Sequence, residues 1–315
     1  MSVWLLAGLG LVILLLAGDA LVKGAVNLSL RMGIPALIVS LTVVAFGTSA
    51  PELLVSVNAV LLNKPGLALG NIVGSNTANA LLVLGIPAIL SVIHTSGCDT
   101  RRTYVFMLIA SVLFIALAFL GTFTAWSGLV LLAGLVVVIG VLAREATNHR
   151  RAERENPAEE IEGADPDMPW WRVVLYLVLG LVGLPLGADL LIDNASIIAL
   201  RFGVSDSVIG LTLVALGTSL PELATTVMAA LRKQADVALG NVIGSNLFNL
   251  LGIIGVAALV GPIPVDRVFL TFDLWVMLAA SLALVPFVFF KVDIGRVWGV
   301  VLSAAYLVYV TIVLI

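Results

Sequence analysis

The chain carries one short motif twice, and both copies lie within stretches that are otherwise apolar enough to sit in lipid. The first copy, GTSAPE, spans residues 47–52, and the second, GTSLPE, spans residues 217–222. A carboxylate near the centre of a bilayer costs about 3 kcal/mol or more, so it normally faces a cavity or a partner inside the protein. We therefore interpret Glu52 and Glu222 as functional residues of a membrane protein, with a buried structural carboxylate as the alternative.

The rest of the composition agrees with a chain that is embedded in lipid. Hydrophobic residues make up 61% of the 315 positions and charged residues only 11%, which is outside the range of soluble domains. The apolar run that begins at Val3 has no small-residue cleavage site after it, so we interpret it as a transmembrane helix and not as a signal peptide. Segments long enough to span a bilayer, about 20 residues each, fall at 3–29, 34–62, 67–92, 103–120, 124–143, 171–200, 204–231, 236–260, 268–290 and 295–315.

An internal duplication organises these ten segments. At an offset of 170 residues the motif of the second half aligns with that of the first without a gap, and about half of the positions from 47 to 85 are identical to their counterparts. Each half has an odd number of spans, so the two halves must enter the membrane from opposite sides, as the inverted repeats of secondary transporters do. We predict an all-α integral membrane protein with ten transmembrane helices in two inverted five-helix repeats, 1–143 and 170–315, joined by a polar linker at 144–169.

Positively charged residues predict the orientation in the membrane. If the N-terminus is outside, the outer side keeps Lys64, Arg201 and Arg267, and Lys23 lies within the first span. The inner loops and helix ends then hold the larger group: Arg31, Arg101, Arg102, Arg144, Arg150, Arg151, Arg154, Arg172, Arg232, Lys233, Lys291 and Arg296. Because Lys and Arg concentrate on the cytoplasmic side, we expect both termini outside and a cytoplasmic linker.

Each copy of the motif supplies features of an ion site. Pro51 and Pro221 lack an amide hydrogen and their rings clash with the carbonyl four residues earlier, so the helix should break or kink there. Within a membrane, broken backbone is tolerated where it faces protein or a water-filled cavity, and its free carbonyls are candidate cation ligands. The hydroxyls of Thr48 and Ser49 precede Glu52 by four and three residues, so they can share a helix face with its carboxylate. The second copy repeats this arrangement with Thr218, Ser219 and Glu222.

The helix after each motif supplies a second polar stripe. Polar residues recur there at four-residue steps, which places them on one helix face: Asn71, Ser75 and Asn79, then Asn241, Ser245 and Asn249. Carboxylate, hydroxyl, amide and carbonyl oxygens are the ligands that hard cations prefer, and calcium accepts many of them in a flexible cage. The chain has a single cysteine, Cys98, and two histidines, so a copper or zinc site is a poor fit. We predict no cofactor.

The two regions GTSAPELLVS with GNIVGSNTANALLVLG and GTSLPELATT with GNVIGSNLFNLLGIIG resemble the signature repeats of the sodium/calcium exchanger family, prokaryotic type, within the cation/calcium antiporter superfamily. The likeness covers nearly the whole chain. It implies that two glutamates bind calcium and sodium alternately near the midplane of a prokaryotic cell (inner) membrane, and that the first and sixth helices slide to give alternating access. The implied ligands are Glu52, Glu222, Thr48, Thr218, Ser49, Ser219, Ser75, Ser245, Asn79 and Asn249, with the backbone carbonyls of Ala45 and Ala215.

Three features of the sequence qualify this resemblance. Asn249 stands where some relatives have Asp, so the site has two acidic ligands instead of three, and a potassium requirement is not expected. For Asn71 and Asn241, interhelical hydrogen bonding and a place in the site are equally supported. Asp19 and Lys23 lie one helical turn apart, and we favour a structural or gating role for them over cation ligation.

The leading functional hypothesis is a secondary antiporter, not an enzyme, that exchanges calcium for sodium. A calcium/proton antiporter is the alternative, because paired carboxylates can load protons in place of sodium. A cation channel is a weaker alternative, since pores usually repeat around an axis normal to the membrane, and no histidine lies in the motifs to serve an intramembrane hydrolase. The expected partners are the lipid bilayer and the calcium and sodium ions. The net charge of −3 does not predict nucleic-acid binding, and no obligatory protein partner is evident.

Overall fold

The computed structural model describes residues 2–155, 165, 167–203 and 215–314. In lipid every backbone amide and carbonyl must be paired within the protein, and these apolar segments satisfy that demand as helices. The helices are α1 (Ser2–Met32), α2 (Ala36–Thr48), α3 (Ala50–Leu61), α4 (Pro65–Leu90), α5 (Arg101–Ala118), α6 (Ala125–Glu155), α7 (Trp170–Arg201), α8 (Ala215–Gly217), α9 (Leu220–Leu231), α10 (Ala235–Val260), α11 (Phe269–Phe289) and α12 (Arg296–Leu314). Two short strands, β1 (Thr122–Phe123) and β2 (Ile263–Pro264), lie in loops.

The helices agree with most of the predicted membrane spans. Among the described residues, eight helices are long and apolar enough to cross a bilayer, and the bent pair α2 and α3 makes a ninth if it is counted as one span. Part of the seventh predicted segment, residues 204–214, lies outside the described residues, and the described remainder contains α8 and α9. Helix α6 continues past residue 143, where the fifth predicted segment ends, to Glu155. The protein is thus an all-α integral membrane protein.

Both repeated motifs break their helices, as the prolines predict. Helices α2 and α3 meet at Ser49 with a bend of 44°. Ser49 has φ −85° and ψ 8°, and Pro51 lies in the first turn of α3, where its missing amide hydrogen leaves no helical bond unmade. Ser219 separates α8 from α9 with nearly the same backbone angles, φ −90° and ψ 2°. The predicted breaks are therefore confirmed at equivalent positions in both repeats.

The long helices α1 and α7 pack closely along each other. A Cβ atom at Gly180 would lie 2.5 Å from Cβ of Leu21, and one at Gly10 would lie 2.6 Å from the backbone nitrogen of Leu191. Small residues let two helix backbones approach in this way. Buried residues of α1 and α7, with a few from α2 and α9, form an apolar cluster separate from the main core.

Helices α4 and α10 lie at the centre of the protein. About four fifths of each apolar span is buried, 78% for α4 and 83% for α10, against 17% for α12. A helix that is buried on nearly all sides can carry polar residues only if they bond to one another or to a ligand. The polar stripes predicted on these two helices therefore face other parts of the protein and not lipid.

Two backbone pairings join loops from the two halves of the chain. Strand β1 pairs antiparallel with β2, with Phe123 opposite Ile263. Ile93 forms an isolated bridge with Ile294. At the offset of 170 residues, Ile93 corresponds to Ile263, and Phe123 corresponds to the position just before Ile294, so each pairing is the counterpart of the other to within one residue. Ile93 precedes α5 and Phe123 follows it, so the two pairings lie at opposite ends of that helix.

Candidate functional site

The two helix breaks bring the repeated glutamates into the interior of the protein. Glu52 lies in the first turn of α3, and Glu222 lies in the first turn of α9. Both side chains are completely buried, with 0% exposed. Ser49, from the first motif, donates a hydrogen bond to Oε1 of Glu222, in the second motif, at 3.0 Å. The two motifs therefore contribute to one site.

Further hydroxyls lie around Glu222. Ser245, on α10, donates to the same Oε1 atom at 3.4 Å. The Thr48 hydroxyl lies 3.5 Å from that of Ser245 and donates to the carbonyl oxygen of Ala45 and the side-chain oxygen of Asn241, at 3.3 Å each. Side chains predicted from both motifs and from the second polar stripe are thus close together.

Asn71 and Asn241 make the same hydrogen bonds at equivalent positions. The amide nitrogen of Asn71 donates to the backbone carbonyl of Glu52 at 3.2 Å and to the Ser56 hydroxyl at 3.0 Å, and its oxygen accepts from Thr218 at 3.3 Å. Asn241 repeats these bonds with Glu222, Thr226 and Thr48, at 3.2, 3.1 and 3.3 Å. The structure therefore favours interhelical hydrogen bonding for both residues, beside each glutamate.

Unpartnered polar atoms concentrate around the two glutamates. In the described part of the chain ten buried side-chain polar atoms have no hydrogen-bond partner, and seven of them belong to predicted ligands. These seven are Oε1 and Oε2 of Glu52, Oε2 of Glu222, Oγ of Ser75 and Ser219, and Oδ1 of Asn79 and Asn249. Buried polar groups are nearly always paired, so this set of oxygens marks the candidate site for a cation.

A local irregularity of the helix marks each terminal asparagine of the polar stripes. In α4 a π-helical turn, Asn79–Val83, begins at Asn79. In α10 a π-helical turn, Phe248–Ile253, contains Asn249. Turns of this kind are rare and occur frequently at functional sites. These two π-helical turns begin at positions that the repeat relates to within one residue, and two further turns of this kind, Ser40–Val44 and Phe269–Asp273, lie elsewhere in the described chain.

Two asparagines that sequence reasoning missed connect the stripes. Asn76 and Asn246 are buried on α4 and α10, and each donates to the other's backbone carbonyl, at 3.3 and 3.4 Å. Their side-chain oxygens accept from the amides of Asn249 and Asn79, at 3.0 and 3.1 Å. The GSN triplet that contains them occurs in both repeats, and that repetition was the signal available in the sequence.

The two predicted backbone ligands stand at the helix ends before the breaks. Ala45 is completely buried, and its carbonyl accepts the amide hydrogen of Ser49 at 3.0 Å. Ala215 is the first residue of α8 and directly follows residues 204–214, which the structure does not describe.

The carboxylate of Asp19 forms ion pairs with two cationic side chains. Its carboxylate pairs with Lys23 on the same helix at 3.0 Å and with Arg232 at the end of α9. The sequence predicted a role other than ligation for Asp19, and the ion pair with Arg232 links α1 to α9. Sequence spacing gave no indication of this partner, because it lies 213 positions away.

The loop between α4 and α5 holds Cys98 and His94, and neither side chain favours a soft metal. Burial raises the pKa of the Cys98 thiol, and the nearby carboxylate of Asp236 adds to this effect, so the thiol stays protonated. Burial also opposes ionisation of Asp293, but hydrogen bonds from His94 and from the Thr95 amide outweigh it and lower the pKa of that carboxyl. No group of three His, Cys, Asp or Glu side chains suited to a metal occurs among the described residues. The oxygen donors around Glu52 and Glu222 instead suit a hard cation.

Comparison with known proteins agrees with this chemistry. The family model described as "Sodium/calcium exchanger protein" matches residues 2–143 and 172–315. The sodium/calcium exchanger MaX1 of Methanosarcina acetivorans is 33% identical over 341 aligned positions that cover 96% of each chain. The inner membrane protein YrbG of Escherichia coli is 33% identical, over 95% of this chain and 93% of its own length.

A solved structure shares the whole fold. The sodium-calcium exchanger NCX_Mj, soaked with 2.5 mM Na⁺ and 1 mM Sr²⁺, superposes with a TM-score of 0.80 at 32% identity, over 99% of this chain and 98% of its own. The family match covers both halves of the chain, and the relatives cover nearly all of it. The chain therefore belongs to the sodium/calcium exchanger family.

Proposed function

We propose that the chain exchanges sodium for calcium by alternating access, with the cations bound between Glu52 and Glu222. The observation that carries the proposal is the set of seven buried oxygens that lack hydrogen-bond partners among the described residues around these carboxylates. A buried charge without a partner is costly, and a bound cation removes that cost. Membership of the exchanger family supports cation/calcium antiport, and not an enzymatic reaction, as the activity.

The proposed ligands combine side-chain and backbone oxygens from both repeats. Six of the residues carry the unpartnered oxygens: Glu52, Glu222, Ser75, Ser219, Asn79 and Asn249. The others are the hydroxyls of Thr48, Ser49, Thr218 and Ser245, and the carbonyls of Ala45 and Ala215. Calcium accepts six to eight oxygen ligands of these types. The set therefore contains more ligands than one calcium ion needs, and the remaining oxygens can bind sodium at neighbouring positions.

The charge of the site explains why two ions compete for it. One calcium ion or two sodium ions neutralise the carboxylates of Glu52 and Glu222. Asn249 contributes an amide oxygen without charge, so a third cation is not required. Sodium and calcium therefore exclude each other electrostatically, which is the physical basis of exchange.

The architecture supports the inverted repeat of five helices, 1–143 and 170–315, with ten spans in all. The backbone pairings of Phe123 with Ile263 and of Ile93 with Ile294 are related by the repeat and lie at opposite ends of α5. Rotation about a symmetry axis in the membrane plane would place each pairing on the opposite side of the membrane from its counterpart, in agreement with these positions. With the distribution of Lys and Arg, we place both termini outside and the linker, 144–169, in the cytoplasm.

We assign the alternating movement to α1 and α7, which are the first and sixth spans. These helices pack on each other through an apolar cluster separate from the main core, and of the described buried residues of α1 only Val22 and Val26 belong to the main core cluster. The same cluster as that of α1 and α7 includes Val39 and Val44 of α2 and Ala224 of α9, the helix that carries Glu222. Sliding of the pair as one body would open the site to one side and then the other, while α4 and α10 keep their ligands in place.

The experiment that tests this function is calcium flux in proteoliposomes. We expect an outward sodium gradient to drive uptake of radiolabelled calcium, with no further requirement for potassium. Sodium-independent uptake driven by a proton gradient would favour the calcium/proton antiporter, and uptake without any counter-ion gradient would favour a channel. Empty liposomes and liposomes with sodium on both sides are the controls.

Acidification should inhibit calcium transport. Protons and cations compete for the carboxylates of Glu52 and Glu222, since a ligand must be ionised to bind a metal. As pH falls, the apparent affinity for calcium should therefore fall, and saturating calcium should restore the maximal rate. An affinity that stays constant down to about 4.3, the ordinary pKa of a glutamate in water, would contradict this prediction.

A further inference from the structure

Four asparagines form a continuous hydrogen-bonded network between α4 and α10. The amide nitrogen of Asn76 donates to the backbone carbonyl of Asn246 at 3.3 Å, and that of Asn246 donates to the backbone carbonyl of Asn76 at 3.4 Å. A backbone carbonyl can only accept a hydrogen bond. These two bonds therefore fix which end of each side-chain amide is the nitrogen and which is the oxygen.

The fixed orientation passes to the next asparagine in each stripe. The oxygen of Asn76 accepts from the amide nitrogen of Asn249 at 3.0 Å, and the oxygen of Asn246 accepts from that of Asn79 at 3.1 Å. An amide oxygen cannot donate, so Asn79 and Asn249 must present their nitrogens to this network. Their oxygens point away from it, and both are buried without a hydrogen-bond partner in the described structure.

We propose that Asn76 and Asn246 are positioning residues that turn the amide oxygens of Asn249 and Asn79 toward the transported cation. The inference rests on the proposed function, because it assigns a role at that same cation site. A side-chain amide that rotated by half a turn would present its N–H groups to the cation and repel it. Partners that orient a metal ligand in this way contribute to affinity without touching the ion.

The network is crossed between the repeats, and this makes the proposal specific. Asn76, in the first repeat, orients Asn249 in the second, whereas Asn246 orients Asn79. Residues that act through one another show non-additive mutational effects, and independent residues show additive ones. We therefore expect coupling for the pairs 76 with 249 and 246 with 79, and additivity for the pairs 76 with 79 and 246 with 249.

The test is a set of double-mutant cycles on calcium binding. Radiolabelled calcium binding to the purified protein in detergent is measured for the alanine variants at these four positions, singly and in the four pairs. We expect Asn76→Ala to weaken calcium binding about tenfold, as loss of an outer partner of a metal ligand does. Asn76→Ala with Asn249→Ala should bind no more weakly than Asn249→Ala alone, whereas Asn76→Ala with Asn79→Ala should show the product of the two single effects.

Each outcome decides between the proposal and its alternatives. Equal coupling in all four pairs, or additivity in all four, would show that the asparagines only pack α4 against α10, and would overturn the inference. Asn76→Leu, which keeps the side-chain volume, replaces Asn76→Ala if the latter does not give folded protein by size-exclusion chromatography. If neither variant folds, the network is required by the fold itself and the inference is also overturned. A wild-type protein that binds no calcium would instead contradict the proposed function.

Discussion

Glu52→Gln and Glu222→Gln should each abolish sodium-driven calcium flux. Glutamine keeps the volume of the side chain but removes the negative charge, so the site can no longer neutralise one calcium or two sodium ions. An interaction with a charged group contributes up to about 3 kcal/mol, so its loss should reduce calcium flux roughly a hundredfold or more. The measurement is radiolabelled calcium uptake into proteoliposomes under an outward sodium gradient.

Asp273 offers a matched control inside the same membrane protein. It is a buried carboxylate near the start of α11, and it accepts a hydrogen bond from Tyr309 at 3.0 Å. The amide oxygen of an asparagine side chain could accept the same bond, so Asp273→Asn replaces a buried carboxylate outside the proposed site. We expect that variant to transport calcium at a rate near that of the wild type. Wild-type flux in either glutamine variant would remove that glutamate from the site.

Folding of the glutamine variants should be intact or improved. In the absence of a cation, the oxygens of Glu52 have no hydrogen-bond partner among the described residues, so loss of that charge removes a cost. At position 222 the amide oxygen of glutamine can still accept the hydrogen bonds that Ser49 and Ser245 donate to Oε1 of Glu222. Thermal unfolding in detergent separates this result from a loss of transport that is caused by misfolding. Added calcium should raise the unfolding temperature of the wild type and not that of the variants, because a ligand stabilises only the protein that binds it.

The parts of the site that the sequence predicts are those with a local physical cause. Pro51 and Pro221 interrupt their helices through their own covalent structure, so the breaks at Ser49 and Ser219 follow from the chain alone. The glutamates are predictable for a similar reason, since a carboxylate in an apolar segment is costly wherever the segment packs.

The parts that the sequence does not predict depend on contacts between distant positions. The ion pair of Asp19 with Arg232 and the bond from Asn249 to Asn76 join residues that only the packed fold brings together. A four-residue period selects Asn79 and passes over Asn76, because the network runs between helices and not along one helix face. The π-helical turn at Asn79 also has no local sequence signature, since its extra residue is accommodated by packing.

Asn249→Asp should create a transporter whose flux in the absence of potassium falls as pH rises. Asn249 donates to the oxygen of Asn76, which can only accept. Burial beside two other carboxylates disfavours ionisation of an Asp at this position. The protonated form can make the same donation and is neutral, so at the low end of the pH range the variant should resemble the wild type. An ionised Asp cannot donate this hydrogen bond to Asn76, and it adds a third negative charge to the site. One calcium ion or two sodium ions then no longer neutralise the site.

The comparison is sodium-driven calcium flux in the wild type and in Asn249→Asp, with potassium present and with potassium replaced by choline. Between about pH 6 and about pH 9 in choline, we expect flux in the variant to fall roughly tenfold or more relative to the wild type, because a buried group without a partner costs about 1–3 kcal/mol and more when it is charged. Potassium should restore part of that loss by supplying the additional cation. The wild type should be unaffected by potassium at every pH, since its neutral amide at 249 leaves only the charges of Glu52 and Glu222. A wild type that needs potassium, or a variant that matches the wild type throughout, would mean that residue 249 does not face the transported ions.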